Sequence, residues 1–350
     1  MRDLGFEPLT LESCIFVSKD RKVWMMLYVD DMLIAAATKE QINHVANQLN
    51  AVFSLKALGE VQTFLGHLVV RDRSNRTIKI SQGPYIKKVL QKKGWTHIKG
   101  AGSPLDPDVK YDPDLPQLES KEKEEYLELV GSAQWISTNT RPDVAYAANL
   151  MGRTREKPTS QHMGQVKRIW RYLKGTEDLG IILGGESSID ELKLWLHCDA
   201  SWADDPVTRK TTAGHIVFLG NSPIHWQSKQ QDLVTLSTTE AEFVNFSTAG
   251  RDIMWIKQLL RETGLNLMKS PSIGTDSNNA MKVAKRDRHN LSTRHTDIRY
   301  KWIKEKCEKG ELTLEWVSTE KMRADGLTKP FGTTQQAHFV QLLGMTEVIS

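Results

Sequence analysis

Cysteine is scarce in this chain: only Cys14, Cys198 and Cys307 occur, far apart in the sequence. No pair has the spacing of a metal-ligand set, and three thiols cannot build a disulfide framework. They read as reduced thiols of an intracellular protein. Long hydrophobic runs are missing too. The longest apolar stretch, Val23 to Ala37, is broken by Asp30-Asp31 and is too short to span a bilayer. Met1-Arg2-Asp3-Leu4-Gly5 lacks the apolar core of a signal peptide, so a soluble chain without a membrane partner is expected. Neither sign of charge dominates, with 47 basic residues against 43 acidic ones and a net charge of +4. That balance is too mild to establish a nucleic-acid partner, though it leaves room for a local basic face.

What is present begins with size. The 350 residues predict two domains or slightly more, at roughly 100–200 residues each. In the first segment Ile15-Phe16-Val17 reads as a strand. Val23 to Val29 and Met32 to Ala36 are apolar runs of strand length separated only by Asp30-Asp31. A hairpin with two carboxylates at its tip follows. An Asp-Asp turn needs no further explanation, yet paired carboxylates at a rigid tip also make a hard-cation site. Thr38-Lys39-Glu40-Gln41 has the form of a capping box and opens a helix to about Phe53. A second hairpin, 64–71 with 77–80, and a helix starting near Pro84 complete the segment.

Between about 96 and 118, Pro104, Pro107, Pro113 and Pro116 interleave with Asp106, Asp108, Asp112 and Asp114. This predicts an exposed irregular linker. Helical periodicity then returns three times, the last between Pro158 and Leu173. There Val166, Ile169, Trp170 and Leu173 share one face and Lys167, Arg168, Arg171 and Lys174 another. Such a basic face is either simply solvated or set against a duplex backbone.

The most informative stretch is His197-Cys198-Asp199-Ala200-Ser201-Trp202. Leu192, Leu194, Leu196 and Cys198 alternate along a strand, and Asp199 falls on the opposite side. Three more acidic residues follow at the edges of predicted elements: Glu242, after Glu240 in Thr239-Glu240-Ala241-Glu242-Phe243, then Asp276 and Asp325. Four carboxylates in the order Asp, Glu, Asp, Asp suggest a two-metal nuclease. Each has a bland reading alone, because Glu240 or Glu242 could close a capping box and Asp276 could cap a helix. Asp325 could sit on a solvated helix face. The predicted order is three strands (191–198, 213–219, 223–227), a long helix (239–262), a strand (271–275), helices (278–285, 296–309), a strand (311–317) and a helix (320–329). That is a mixed five-stranded sheet with flanking helices. Trp202, Trp226, Trp255 and Trp316 are expected in cores.

Several phrases resemble the copia-type retrotransposon Pol polyprotein. Tyr28-Val29-Asp30-Asp31 is similar to the reverse-transcriptase palm motif, with Leu58-Gly59-Glu60, Phe64-Leu65-Gly66 and Ile80-Ser81-Gln82-Gly83-Pro84-Tyr85 beside it. Val130-Gly131-Ser132, Thr140-Arg141-Pro142-Asp143 and Arg171-Tyr172-Leu173-Lys174-Gly175-Thr176 resemble its thumb region. The richest matches are to its ribonuclease H: Asp199-Ala200-Ser201-Trp202-Ala203, Arg209-Lys210-Thr211-Thr212-Ala213-Gly214, Trp226-Gln227-Ser228-Lys229-Gln230, Ser237-Thr238-Thr239-Glu240-Ala241-Glu242, Arg294-His295-Thr296-Asp297 and Ala324-Asp325-Gly326-Leu327-Thr328-Lys329-Pro330.

The resemblance implies an α+β and α/β chain: an incomplete palm (1–95), a linker and helical thumb (96–188), a ribonuclease H domain (189–332) and a tail (333–350) whose short apolar pattern has no assigned purpose. It implies that Asp30 and Asp31 are two ligands of a polymerase magnesium site. The third Asp and the template segment have no counterpart, so this chain alone should not polymerise. It implies two magnesium ions, or manganese in their place, held by Asp199, Glu242, Asp276 and Asp325. Asp199 would be shared, Glu242 and Asp276 would complete the leaving-group ion, and Asp325 the water-activating one. Glu242 is favoured over Glu240 because it precedes a bulky apolar residue and lies deeper in the helix. The loop His of cellular ribonucleases H has no equivalent in Ser318 to Arg323; His295 is the nearest in chain order and also reads as a surface helix residue. Arg209, Lys210, Ser228, Lys229 and Gln230 would bind substrate phosphates. The implied partners are an RNA–DNA hybrid, a primer–template and the remainder of the polyprotein. The expected place is the cytoplasm, within a virus-like particle if the parent element is active, with the nucleus a further compartment. A non-catalytic nucleic-acid-binding remnant, or a polymerase part completed by upstream sequence, are the other readings.

Overall fold

The computed structural model describes residues 1–112, 114–185, 188, 192–278, 281–282 and 294–348, with side chains from 298 onward in the last stretch. The chain divides into two units, Met1–Gln62 with Asp252–Met268, and Thr63–Arg251 with Lys269–Ser350.

The smaller unit is an antiparallel meander of β1 (Phe6–Pro8), β2 (Ile15–Ser18), β3 (Val23–Tyr28) and β4 (Asp31–Ala36), followed by helix α1 (Lys39–Asn50). The expected capping box is present: the Thr38 side chain accepts from the Gln41 N–H and the Gln41 side chain from the Thr38 N–H. Val45 and Leu49 of α1 close a core over Phe6, Val23 and Met25. Tyr28 pairs with Asp31 across the hairpin, leaving Val29 and Asp30 as a two-residue loop. That tight loop drives Val29 to φ +53°, a left-handed conformation that is costly for a β-branched side chain. The Trp24 indole donates to the Thr263 carbonyl at 2.7 Å. Trp24→Phe keeps the ring and removes the donor, so a loss of about 0.5–1.5 kcal/mol is expected from the urea midpoint.

The larger unit holds two sheets. In the first, β5 (Thr63–Phe64), β6 (His67–Asp72) and β7 (Thr77–Ser81) form the predicted hairpin region. Four helices follow: α2 (Gly83–Lys92), α3 (Ser120–Asn139), α4 (Ala145–Arg153) and α5 (Ser160–Gly175). Their shared apolar faces enclose Ile86, Leu90, Tyr126, Leu129, Ile169 and Trp170. The chain then returns to β7 through an antiparallel partner, β8 (Leu179–Gly184).

The second sheet contains β9 (Leu194–Ser201), β10 (Thr212–Leu219), β11 (Ser222–Gln230), β12 (Ser272–Thr275) and β13 (Thr313–Trp316) in the order β11-β10-β9-β12-β13. The first three strands are antiparallel, whereas β12 runs parallel to both β9 and β13. This is the mixed five-stranded sheet that the sequence predicts. Helices α6 (Thr238–Glu262), α7 (Arg294–Glu308) and α8 (Thr333–Leu342) accompany it, and β14 (Thr346–Glu347) adds to the edge of β8. The predicted helix over 278–285 lies mostly outside the described residues. No helix among those described is long and apolar enough to cross a membrane.

Two expectations are corrected and two are extended. The predicted linker is irregular and largely exposed, as at Pro107, Asp108, Asp112, Asp114 and Pro116, and it is also tied to α5, where the Gln165 and Gln161 side chains accept from the Asp106 and Asp112 N–H groups at 3.0 and 2.9 Å. Ser103 and Leu105 are buried there, because a proline-rich segment without its own ladder must satisfy its backbone on neighbouring side chains. The predicted helix 320–329 is instead two 3-10 turns, Thr319–Lys321 and Asp325–Leu327. Gly326 packs against the Phe339 ring so closely that a Cβ there would lie 2.4 Å from it. Three tryptophans expected in cores are well exposed, Trp202 at 43%, Trp255 at 47% and Trp316 at 56%. The unassigned tail pattern is structural: Phe339, Leu343 and Met345 are buried with Ile216, Phe218 and Leu179.

Candidate active site

Asp199 lies near the end of β9, directly opposite Gly214 of β10. The missing side chain at Gly214 admits the segment carrying Leu327 and Thr328, whose atoms would lie 2.6 and 2.9 Å from a Cβ there. From that segment the Thr328 hydroxyl donates to Asp199 Oδ2. On the other side Asn245 of α6 donates from its Nδ2 to the Asp199 carbonyl at 2.6 Å and to the Gly214 carbonyl at 3.0 Å. A strand, a helix and an irregular segment thus meet on one aspartate. Leu194, Leu196 and Cys198 are buried as their alternation predicts, and Asp199 is itself only 8% exposed.

The other three acidic residues reach the same place. Glu242 sits on α6 with its carboxylate in the electrostatic field of Asp199, Asp276 and Asp325. Asp276 follows β12, and its Oδ2 accepts from the Thr319 hydroxyl at 2.9 Å. Asp325 begins the second 3-10 turn and feels both Asp199 and Asp276. Glu240 is elsewhere: its carboxylate accepts from the Leu236 N–H at 2.7 Å while its own N–H donates to Ser237 Oγ at 3.1 Å. The capping role belongs to Glu240 and the buried cluster to Glu242.

Burial is the main force on the Asp199, Glu242 and Asp325 carboxyls, and repulsion from neighbouring carboxylates adds to it. Burial with the neighbouring carboxylates raises Glu242 to about 9, and burial with Asp199 raises Asp325 to about 6. Asp199 is also raised, chiefly by burial, against the opposing pull of Lys329 and Thr328. The Lys329 ammonium stands 2.9 Å from Asp325 Oδ2. Glu242 Oε2 and Asp325 Oδ1 are buried without a hydrogen-bond partner. Hard carboxylate oxygens, crowded, buried and partly unsatisfied, fit a hard divalent cation.

These shifts have a measurable consequence. A carboxyl raised in the folded state keeps its proton after the unfolded chain has lost it. Stability therefore falls as pH rises from the ordinary carboxylate range, near 4.5 for Glu242, towards its folded value of about 9. The metal-free protein is expected to lose Tm steadily between pH 5 and about pH 9. Glu242→Gln should flatten that slope, and millimolar magnesium should restore Tm mainly at the alkaline end. Thermal scans over pH, with and without the ion, check all three.

The remaining sequence candidates divide. Asp30 and Asp31 are exposed at the β3–β4 hairpin. Arg209 and Lys229 are exposed, with Lys210 half-buried. Ser228 and Gln230 are engaged within the protein: Asn149 donates to the Ser228 carbonyl at 2.8 Å, and Gln230 Nε2 donates to Asp205 Oδ2 at 2.8 Å. The basic face of α5 is partly committed. Arg168 donates to Ser103 Oγ, Arg171 to the Lys99 carbonyl, and Lys174 pairs with Glu177, while Lys167 is exposed. The two arginines hold the linker. His295 falls outside the described side chains.

Sequence reasoning missed Thr328, Lys329, Asn245 and Thr319. The first two carried a signal, since they lie three and four residues beyond Asp325. Asn245 sits three residues beyond Glu242, on the same helix face.

Residues 1–107 match the reverse transcriptase (RNA-dependent DNA polymerase) family. The retrovirus-related Pol polyprotein from transposon TNT 1-94 of Nicotiana tabacum is 33% identical over 95% of this chain and 25% of its own length. The corresponding polyprotein from transposon RE1 of Arabidopsis thaliana is 33% identical over 99% of this chain and 23% of its own length. The chain thus spans about a quarter of the length of these relatives. Among solved structures, the foamy viral protease-reverse transcriptase in complex with RNA/DNA hybrid is 16% identical with a TM-score of 0.49, covering 84% of this chain and 36% of that one. Similarity along nearly the whole sequence makes this chain a member of the copia-type family of retrovirus-related transposon Pol polyproteins.

Proposed function

We propose that this chain carries a ribonuclease H activity, hydrolysing the RNA strand of an RNA–DNA hybrid to leave 5′-phosphate and 3′-hydroxyl ends. One observation carries the reading. Asp199, Glu242 and Asp325, remote along the sequence, are buried together with the half-buried Asp276 beside them, and oxygens of Glu242 and Asp325 have no hydrogen-bond partner.

Two magnesium ions bound there would acidify the attacking water and neutralise charge growing on the leaving oxygen. Asp199 would be the shared ligand, Glu242 and Asp276 would serve the leaving-group side, and Asp325 the water side. Thr328 fixes the Asp199 carboxylate, Asn245 pins its backbone, and Thr319 orients Asp276. Arg209, Lys210 and Lys229 would meet phosphates directly. Ser228 and Gln230 would act there by holding β11 and the Asp205 turn in position. A hybrid would be read by shape and by 2′-hydroxyls rather than by base sequence.

Incubation of the full chain with a labelled hybrid and magnesium, beside Asp199→Asn, tests the proposal. Equal inertness of the two proteins leaves the non-catalytic nucleic-acid-binding alternative.

A second reading concerns the smaller unit. The match of residues 1–107 to the reverse transcriptase family and the exposed Asp30 and Asp31, in the loop and first position of β4, favour a role as part of an RNA-directed DNA polymerase. The missing palm ligand would come from the rest of the polyprotein. Primer extension by a longer polyprotein, lost on Asp30→Asn, is its test.

A further inference from the structure

Resting on the metal-centre reading above, we infer that Lys329 is a built-in counter-cation of the carboxylate cluster, one that a divalent ion must displace and that sets metal affinity. The geometry singles it out. Its ammonium lies 2.9 Å from Asp325 Oδ2, and its charge also acts on Asp199, Glu242 and Asp276. An exposed pair four residues apart would be a minor surface contact. Here one partner is buried inside a cluster of four carboxylates while the lysine side chain keeps 43% of its exposure, so the ammonium has a route out to solvent.

The segment that carries it cannot drift. Gly214 receives Leu327 and Thr328 at distances no Cβ would tolerate, and Gly326 lies flat against the Phe339 ring. The Thr328 hydroxyl is bonded both to Asp199 and to the Asp325 carbonyl. Five consecutive residues therefore deliver a carboxylate, a hydroxyl and an ammonium to one place. With no ion bound, a single positive charge offsets part of the repulsion among the carboxylates. An arriving divalent cation competes with that charge for the same Asp325 oxygen and is repelled by it at short range.

Titration of the full chain with manganese alone, following free Mn²⁺ by electron paramagnetic resonance, tests this without reference to turnover. Lys329→Met is expected to bind Mn²⁺ about tenfold more tightly than wild type. Lys329→Arg, which keeps the charge, should stay within about threefold of wild type. Asp199→Asn should weaken binding in every background. Asp199-dependent binding that Lys329→Met leaves unchanged or weakens overturns the inference and spares the metal centre. Binding indifferent to Asp199→Asn removes the metal centre, and this inference with it.

Discussion

Asp199→Asn is expected to lower the rate of hybrid cleavage by roughly 10³-fold or more, equivalent to about 4 kcal/mol of transition-state stabilisation. The amide keeps the size and one acceptor oxygen, so the Thr328 hydroxyl retains its partner. It removes a charge from a buried cluster whose members already raise one another. The variant should therefore melt no lower than wild type in the absence of metal, and higher at alkaline pH. Loss of cleavage alongside an unchanged or raised Tm separates a chemical role from a structural one. Retention of more than about a tenth of the activity would place the chemistry elsewhere, because a shared ligand cannot be neutralised so cheaply.

Arg141→Met carries the largest expected loss of stability. The Arg141 side chain is fully buried and forms a two-pronged pair with Asp143 at 2.8 and 2.7 Å. It also donates to the Thr176 carbonyl and hydroxyl. Asp143 accepts in addition from the Tyr172 hydroxyl at 2.7 Å, and its carbonyl accepts from Gln336 of α8 at 2.9 Å. Removing the guanidinium strands a buried carboxylate, at a cost of about 3–5 kcal/mol. The apparent Tm of the larger unit should fall by roughly 10 °C. Adding Asp143→Leu to the first change should recover part of that loss, since no charge is then left unpaired. A double substitution less stable than the single one would mean that Asp143 acts chiefly through Tyr172. The pair is positioned to matter beyond its own energy, because it joins α5, the turn before α4 and the tail helix.

Thr140-Arg141-Pro142-Asp143 stands out in the sequence only as a helix break and a family phrase. Asp143 supplies a local partner, but nothing local announces that Arg141 will be sealed from water, because the Tyr172 ring and Thr176 that surround it come from α5 and its end. The basic face of α5 shows the same gap. Helical period places Arg168 and Arg171 correctly on one side, but period says nothing of whether solvent, nucleic acid or the chain's own linker lies opposite. Trp202 was expected in a core from its size, yet it is nearly half exposed, with its indole bonded to the Thr235 carbonyl at 3.0 Å. Burial tendencies describe residue types and not positions near the end of a strand. The choice between Glu240 and Glu242 lies between these cases. Depth in the helix favours Glu242, and the bonds of Glu240 to Leu236 and Ser237 account for the nearer glutamate.

What the sequence determined by itself is whatever depends on neighbours a few residues away. This covers the strand alternation leading to Asp199, the capping box at Thr38, the hairpin bearing Asp30 and Asp31, the succession of strands and helices that builds the second sheet, and the motifs that place the chain in its family. Tertiary structure alone decided that three buried carboxylates and the half-buried Asp276 come together, that Gly214 makes room for Thr328, that Lys329 enters the cluster, and that the tail closes the core over Phe218. The division follows from the range of the forces. Backbone propensity and side-chain periodicity act within a turn or two of chain. Burial, repulsion and steric fit act between surfaces that only folding brings into contact.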